Sequence, residues 1–282
     1  MKLPAVNPVL ARESRVRMRG WKAPALITLY VGILGFIAWF ILAITKATGQ
    51  TFAPELGGYI FATLGVAQFG LLVFAAPGLT AGAIAGEREK QTLDLLLITR
   101  LSPWQVVSGK LWAAVAFTLL LMFASLPVYS LLFLMGGIAL TNLLQTTAVY
   151  VVTVFLLGAV GLYFSAIFRR TQAAVIASYG LALGWMLVNL IASILIFEVF
   201  RRPPANPAPP SWAVVLGYVN PAFGLFAAMG GPMGDATRLY QTILLTPESR
   251  EAIWWKYSLF AMAATGLLIW LTSRRIRPYQ EK

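Results

Sequence analysis

The sequence predicts an all-α integral membrane protein with six transmembrane helices, and three observations carry that expectation. The chain has 282 residues, of which 59% are hydrophobic and only 11% charged. A soluble domain carries about 25% charged residues, so this chain has too little polar surface to cover a globule. Six apolar runs have the length that crosses a hydrocarbon core of ~30 Å. Sixteen of the 22 Lys and Arg residues fall at the boundaries that six crossings place on one side, together with both chain ends. Basic residues accumulate on the cytoplasmic side of a membrane protein, which places both termini in the cytoplasm and the chain in the cell membrane.

Composition also excludes chemistry. The formal charge of +12 comes from basic residues that flank apolar runs, without a stripe of interleaved aromatics, so no nucleic-acid partner is expected. There is no Cys and no His, which removes disulfides, thiol nucleophiles, Cys/His zinc sites, His-ligated haem and the usual general base. The ten acidic residues are scattered singly or sit in one polar segment, a poor basis for a carboxylate metal cage. No catalytic residue, cofactor or metal is expected in this chain, which reads as one transmembrane domain over residues 1–282.

Residues 5–22 suit an interfacial helix, since Val6, Val9, Leu10 and Val16 recur at roughly helical spacing among Arg12, Arg15, Arg17 and Arg19. Glu13 and Arg17 fall toward the apolar side of that wheel, and a disordered basic tail is the alternative. A cleavable leader is not expected, because the apolar run that follows is too long for one. The first span covers residues 24–44 and the second 59–85. Near the end of the second, Gly78, Gly82 and Gly86 recur every four residues, which lets a neighbouring helix approach, and Pro77 should kink or soften it.

Residues 87–102 form the one long polar-and-apolar segment between two spans on the basic side. Four consecutive charges, Glu87-Arg88-Glu89-Lys90, lead into Thr92-Leu93-Asp94-Leu95-Leu96-Leu97 and on to Thr99. A helix should restart at Ser102-Pro103, with Ser102 as N-cap, Pro103 in the first helical position and Gln105 completing a capping box. Counted from Pro103, the third helix exceeds ~45 Å at 1.5 Å per residue, longer than the core its span at 111–135 crosses, so Lys110 should snorkel at the boundary. A solvated loop is the plain alternative for the polar segment.

The fourth span covers 143–168, and the fifth 173–200 with Asn189 inside it, expected to bond a neighbouring helix. Residues 201–251 form an external region that opens with a Pro-rich extended piece. Within it, residues 212–229 are apolar but broken at Gly217, Asn220-Pro221 and Gly224. Each half is too short to span, which suggests a re-entrant helical hairpin; a seventh span broken at Pro221 is the alternative and would separate the chain ends. The last span covers 253–272.

The basic segment Asn7-Pro8-Val9-Leu10-Ala11-Arg12-Glu13, the stretch Glu87-Arg88-Glu89-Lys90-Gln91-Thr92-Leu93-Asp94-Leu95-Leu96 with Thr99, Leu101-Ser102-Pro103 and Gly109-Lys110, and the six spans together resemble the permease subunit of a type-2 (ABC-2) ATP-binding-cassette exporter. Gln91 stands where the resemblance would place Gly more often. The resemblance implies a cytoplasmic coupling helix at 87–102, between spans 2 and 3, and a re-entrant hairpin between spans 5 and 6. It implies two P-loop ATPase subunits and a second permease, identical or paralogous. The chain lacks Gly-x-x-x-x-Gly-Lys-Ser/Thr, so ATP and Mg would be bound by the partner ATPase. It also assigns ATPase coupling to Glu87, Arg88, Glu89, Thr92, Leu93, Asp94, Leu95, Leu96, Leu97, Thr99, Ser102 and Pro103. The leucines would supply apolar contacts, and Glu87, Arg88, Glu89 and Asp94 register and orientation.

Three other classes compete. A gradient-driven secondary transporter usually places ionisable residues within its spans, and these spans have essentially none. An intramembrane enzyme lacks His, Cys and paired carboxylates here. A non-transporting membrane anchor for a cytoplasmic partner would keep the polar segment without needing a path. The substrate is not legible, since apolar spans suit a lipid, a peptide or a drug and also any lipid-facing helix.

Overall fold

In a computed structural model of the chain the described residues are 13, 20–49, 54–92, 102–135, 138–201, 213–230 and 247–276, and their regular structure is entirely helical. Helix α1 is Lys22–Ala47, α2 Pro54–Thr80, α3 Ala85–Glu89, α4 Pro103–Ala124, α5 Leu126–Met135, α6 Leu140–Ile167, α7 Thr171–Arg201, α8 Ala213–Val219, α9 Pro221–Ala228 and α10 Pro247–Arg275. Among the described residues, five helical stretches are long and apolar enough to cross a membrane: α1, α2 through α3, α4 through most of α5, α6, and α7. Helix α10 is long enough, at 29 residues, but its first turns carry Glu248, Arg250, Glu251 and Lys256.

Helix α6 is the centre of the bundle and packs against α2, α4, α7, α9 and α10. Two glycines explain how it gets so close to α2 and α4. A Cβ on Gly161 would collide with Thr80 Oγ1 and stand 3.2 Å from the Pro77 carbonyl, and one on Gly158 would press on Leu111 at 3.1 Å. Without a hydrophobic force between helices in lipid, such close backbone approach is what holds them together. The glycines at 78, 82 and 86 do accept a neighbour, and it is the first turns of α7: a Cβ on Gly78 would meet Tyr179 Oη at 2.8 Å and one on Gly82 would meet Thr171 at 3.1 Å.

At the other extreme, α1 turns Phe36, Trp39 and Phe40 outward, with half or more of each exposed. An exposed aromatic comb on a spanning helix needs lipid or protein around it.

Two elements depart from expectation. The second span does not run unbroken to residue 85: α2 stops at Thr80, residues 81–84 form a turn, and α3 starts at Ala85. The third helix is interrupted at Ser125, between α4 and α5. Pro127 is the cause, since it has no N–H for the Phe123 carbonyl and its ring crowds that carbonyl. The Ser125 hydroxyl bonds the Met122 carbonyl at 2.7 Å and closes the broken turn. Pro77 sits inside α2, three residues from its end.

Helices α8 and α9 are short, as the breaks in their sequence require. Asn220 caps α9, its Oδ1 accepting from the Ala222 N–H at 2.9 Å with Pro221 in the first turn. The same Asn220 donates to Asn189 Oδ1 at 3.0 Å, so Asn189 does bond a neighbouring helix. Trp185 Nε1 adds a bond to the Val219 carbonyl at the end of α8. On the far face, Gly224 lets α9 lie against the Tyr257 ring of α10.

Candidate functional site

The polar segment begins as an elbow, α3, wedged between the ends of other helices. Its first residue has no capping side chain of its own. A helix leaves its first N–H groups unpaired, and here Ser165 near the end of α6 supplies the missing acceptor. Its hydroxyl takes the Ile84 and Ala85 N–H groups, each at 2.9 Å.

Arg88 and Glu89 then reach in opposite directions. The Arg88 guanidinium donates to the Phe168 and Ala166 carbonyls at 3.2 and 3.3 Å, at the C-terminus of α6. Glu89 accepts from the Thr171 N–H at 2.9 Å and the Thr171 hydroxyl at 2.7 Å, at the N-terminus of α7. A cation lies on the negative end of one helix dipole and a carboxylate on the positive end of the next. The two bonds from Thr171 hold the Glu89 carboxyl below its usual range. The elbow thereby grips the sharp turn from α6 to α7.

Glu87 faces a third helix. Its Oε1 lies 2.7 Å from Lys110 Nζ on α4, and the same ammonium lies 2.7 Å from Glu13. Lys110 is 1% exposed, so it does not snorkel; two carboxylates draw its amine inward. Glu87 Oε2 is also buried and has no hydrogen-bond partner among the described residues.

The exit from α3 is a Schellman motif. The Thr92 N–H bonds the Glu87 carbonyl at 2.9 Å and the Gln91 N–H bonds the Arg88 carbonyl at 3.1 Å. Gln91 has φ of +56°, the left-handed conformation that favours glycine, which gives a backbone reason for Gly at this position. On the far side of the segment the capping box forms as the spacing requires: Ser102 Oγ accepts from the Gln105 N–H, Gln105 Oε1 accepts from the Ser102 N–H, and Pro103 opens α4.

Of the residues assigned from sequence, Glu87, Arg88, Glu89 and Thr92 lie in the elbow, while Ser102 and Pro103 lie at the start of α4. Leu93, Asp94, Leu95, Leu96, Leu97 and Thr99 lie outside the described residues, as does most of the interfacial helix at 5–22. Sequence reasoning missed Glu13, Lys110, Ser165 and Thr171 as parts of this constellation. Glu13 left a trace, because an acid on the apolar side of a helical wheel needs a partner. Ser165 left none. No group of acidic residues among the described ones could hold a metal.

Comparison with known families matches residues 9–223 to the family described as ABC-2 family transporter protein. No curated protein matches the chain.

Proposed function

The chain belongs to the ABC-2 transporter family, and from that premise we propose that it is the permease subunit of an ABC exporter, with residues 87–102 as the segment on which a separate ATPase acts. Family membership makes it a multi-pass component of membrane transport that associates with ATP-binding partners. The finer reading has two permeases, identical or paralogous, forming the path between them. It also has two P-loop ATPases below, both termini cytoplasmic, and α10 as the sixth span.

The observation that carries this is the anchoring of the elbow. Through Glu87, Arg88, Glu89 and the Ser165 hydroxyl, α3 is tied to α4, α6 and α7. Residues 93–101 connect α3 to the capped start of α4, so a displacement of that connection is passed to three long helices at once. Stiff helices that receive a push at one end move as rigid bodies, which is how a nucleotide-driven closure becomes an opening of the path. Because the charges at 87–89 are engaged within the chain, the leucines at 93 and 95–97 are left as the groups to enter an ATPase groove.

The experiment is a pull-down of the tagged chain from solubilised native membranes. Replacing Leu95 and Leu96 with Asp should abolish co-purification of a P-loop ATPase while membrane insertion stays intact. Undiminished co-purification would remove the coupling assignment. A chain that purifies with no ATPase at all would favour an anchor or a gradient-driven carrier.

A further inference from the structure

Midway along the bundle, where α4 gives way to α5, a cavity of about 20 Å³ opens between α2, α4, α5 and α6. Its polar lining comes from Gln68, Ser125, Tyr129, Thr146, Thr147 and Tyr150. Several of these groups are matched internally. Tyr150 Oη donates to the Gly65 carbonyl at 2.7 Å, Thr147 donates to the Leu143 carbonyl at 2.8 Å, and Ser125 lies 3.3 Å from Gln68 Oε1.

Two are not. Tyr129 Oη and Thr146 Oγ1 are buried, in residues only 5% and 1% exposed, and among the described residues no group makes a hydrogen bond of ordinary geometry with either. The Tyr129 hydroxyl interacts with the Tyr150 hydroxyl, whose own proton goes to the Gly65 carbonyl, without the geometry of an ordinary hydrogen bond. A buried hydroxyl without a partner is destabilising, and the lipid surrounding a spanning bundle offers nothing to relieve it. A cavity needs roughly 10–15 Å³ and two to four polar neighbours to take a water, and this one meets both conditions for a single molecule.

We infer that this cavity is a binding site for one structural water, bridging the hydroxyls of Tyr129 and Thr146 at the break between α4 and α5. Its placement matters because the break has already freed α5 from the ladder of α4. A bridge of exchangeable hydrogen bonds then fixes α5 against α6, where a direct bond between side chains would hold it in one register. Among the described residues no carboxylate lines the cavity, so the site suits a neutral guest better than an ion.

The test is radiolytic hydroxyl labelling of the full chain in lipid nanodiscs, after mixing into ¹⁸O-water. A bound water generates radicals where it sits, so Tyr129 and the adjacent Met122 should be labelled as strongly as exposed side chains. Met229 and Tyr257, equally buried, serve as controls. If Met122 and Tyr129 stay as silent as those controls, the site is dry and the inference fails. Stability gives a second readout of opposite sign. With a bridging water, Tyr129→Phe and Thr146→Val each lower the melting temperature by about 2–4 °C, and the double variant loses little more than one of them. In a dry cavity each change removes an unpaired hydroxyl, and the melting temperature rises. A melting temperature that depends on exchanging Na⁺ for K⁺ would replace the water with a cation and overturn the assignment.

Discussion

Among the described residues, Lys110 is the one on which the most ion pairs converge. It is 1% exposed, and its stability in that position rests on Glu13 and Glu87, whose side chains keep 22% and 25% of their surface. Removing one partner of a buried ion pair costs roughly 3–5 kcal/mol; allowing for the wet carboxylates, Lys110→Met should cost about 2–3 kcal/mol in a denaturant titration. The double change Lys110→Met with Glu87→Gln should recover part of that, because fewer like charges then face each other. A Lys110→Met chain as stable as the parent would mean that the packing of the aliphatic stem alone holds the residue. Residue-scale features were legible in the sequence when they were local. The Ser102–Gln105 capping box follows from four adjacent positions, and the need for a partner at Asn189 follows from an amide in an apolar run. What pairs with what at long range was not legible. Glu13 lies 97 positions from Lys110, and nothing in either neighbourhood names the other.

At the scale of helices, the same glycine count hides two different roles. A Cβ at Gly161 would strike Thr80 and the backbone at Pro77 and Ala81, whereas positions 32 and 35 in α1 have nothing within 4 Å. Gly161→Ala must push α2 away from α6 and should cost about 1–3 kcal/mol, the usual penalty for overpacking. Gly32→Ala should be neutral or stabilising by up to ~1 kcal/mol, since Ala is the better helix former and meets no obstacle. Thermal melts of the two variants in one detergent separate them; equal losses would mean that the α2–α6 contact is not tight. The sequence shows which stretches are helical because apolar length and polar breaks are one-dimensional signals. It places the glycine face at 78, 82 and 86 correctly on a helix contact. The interruption at Ser125 was written in the sequence at Pro127, yet the strong apolar pattern on either side reads as one continuous span. The end of α2 at Thr80 was less accessible, because the acceptor that allows the turn and the restart at α3 is Ser165, on another helix.

For the whole molecule the open quantity is the number of crossings, and it turns on where residues 213–230 enter and leave. The elbow marks one end of the bundle, where α6 finishes and α7 starts. Helix α7 therefore ends at the other. The chain comes back from α9 at Gly230, against Asn142 in the first turn of α6, which is also the end away from the elbow. At 1.5 Å per residue, α8 and α9 reach only about 10 and 12 Å, far short of a ~30 Å core. Departure and return at the same end favour a hairpin that dips in and comes back, followed by α10 as a single sixth crossing. The absence of cysteine makes the test clean, since a single engineered thiol is the only one present. Six crossings require Thr92→Cys, Arg170→Cys and Ser273→Cys to react with an impermeant maleimide from one side of sealed vesicles. Thr48→Cys and Ala139→Cys should react from the other. If Ser273→Cys labels with the Thr48 group, Pro221 breaks a true seventh span and the two chain ends face opposite compartments. Labelling of Ser273→Cys with the Thr92 group fixes both the hairpin and α10, and leaves the elbow on the same face as the chain's two basic ends, where a soluble ATPase could reach it.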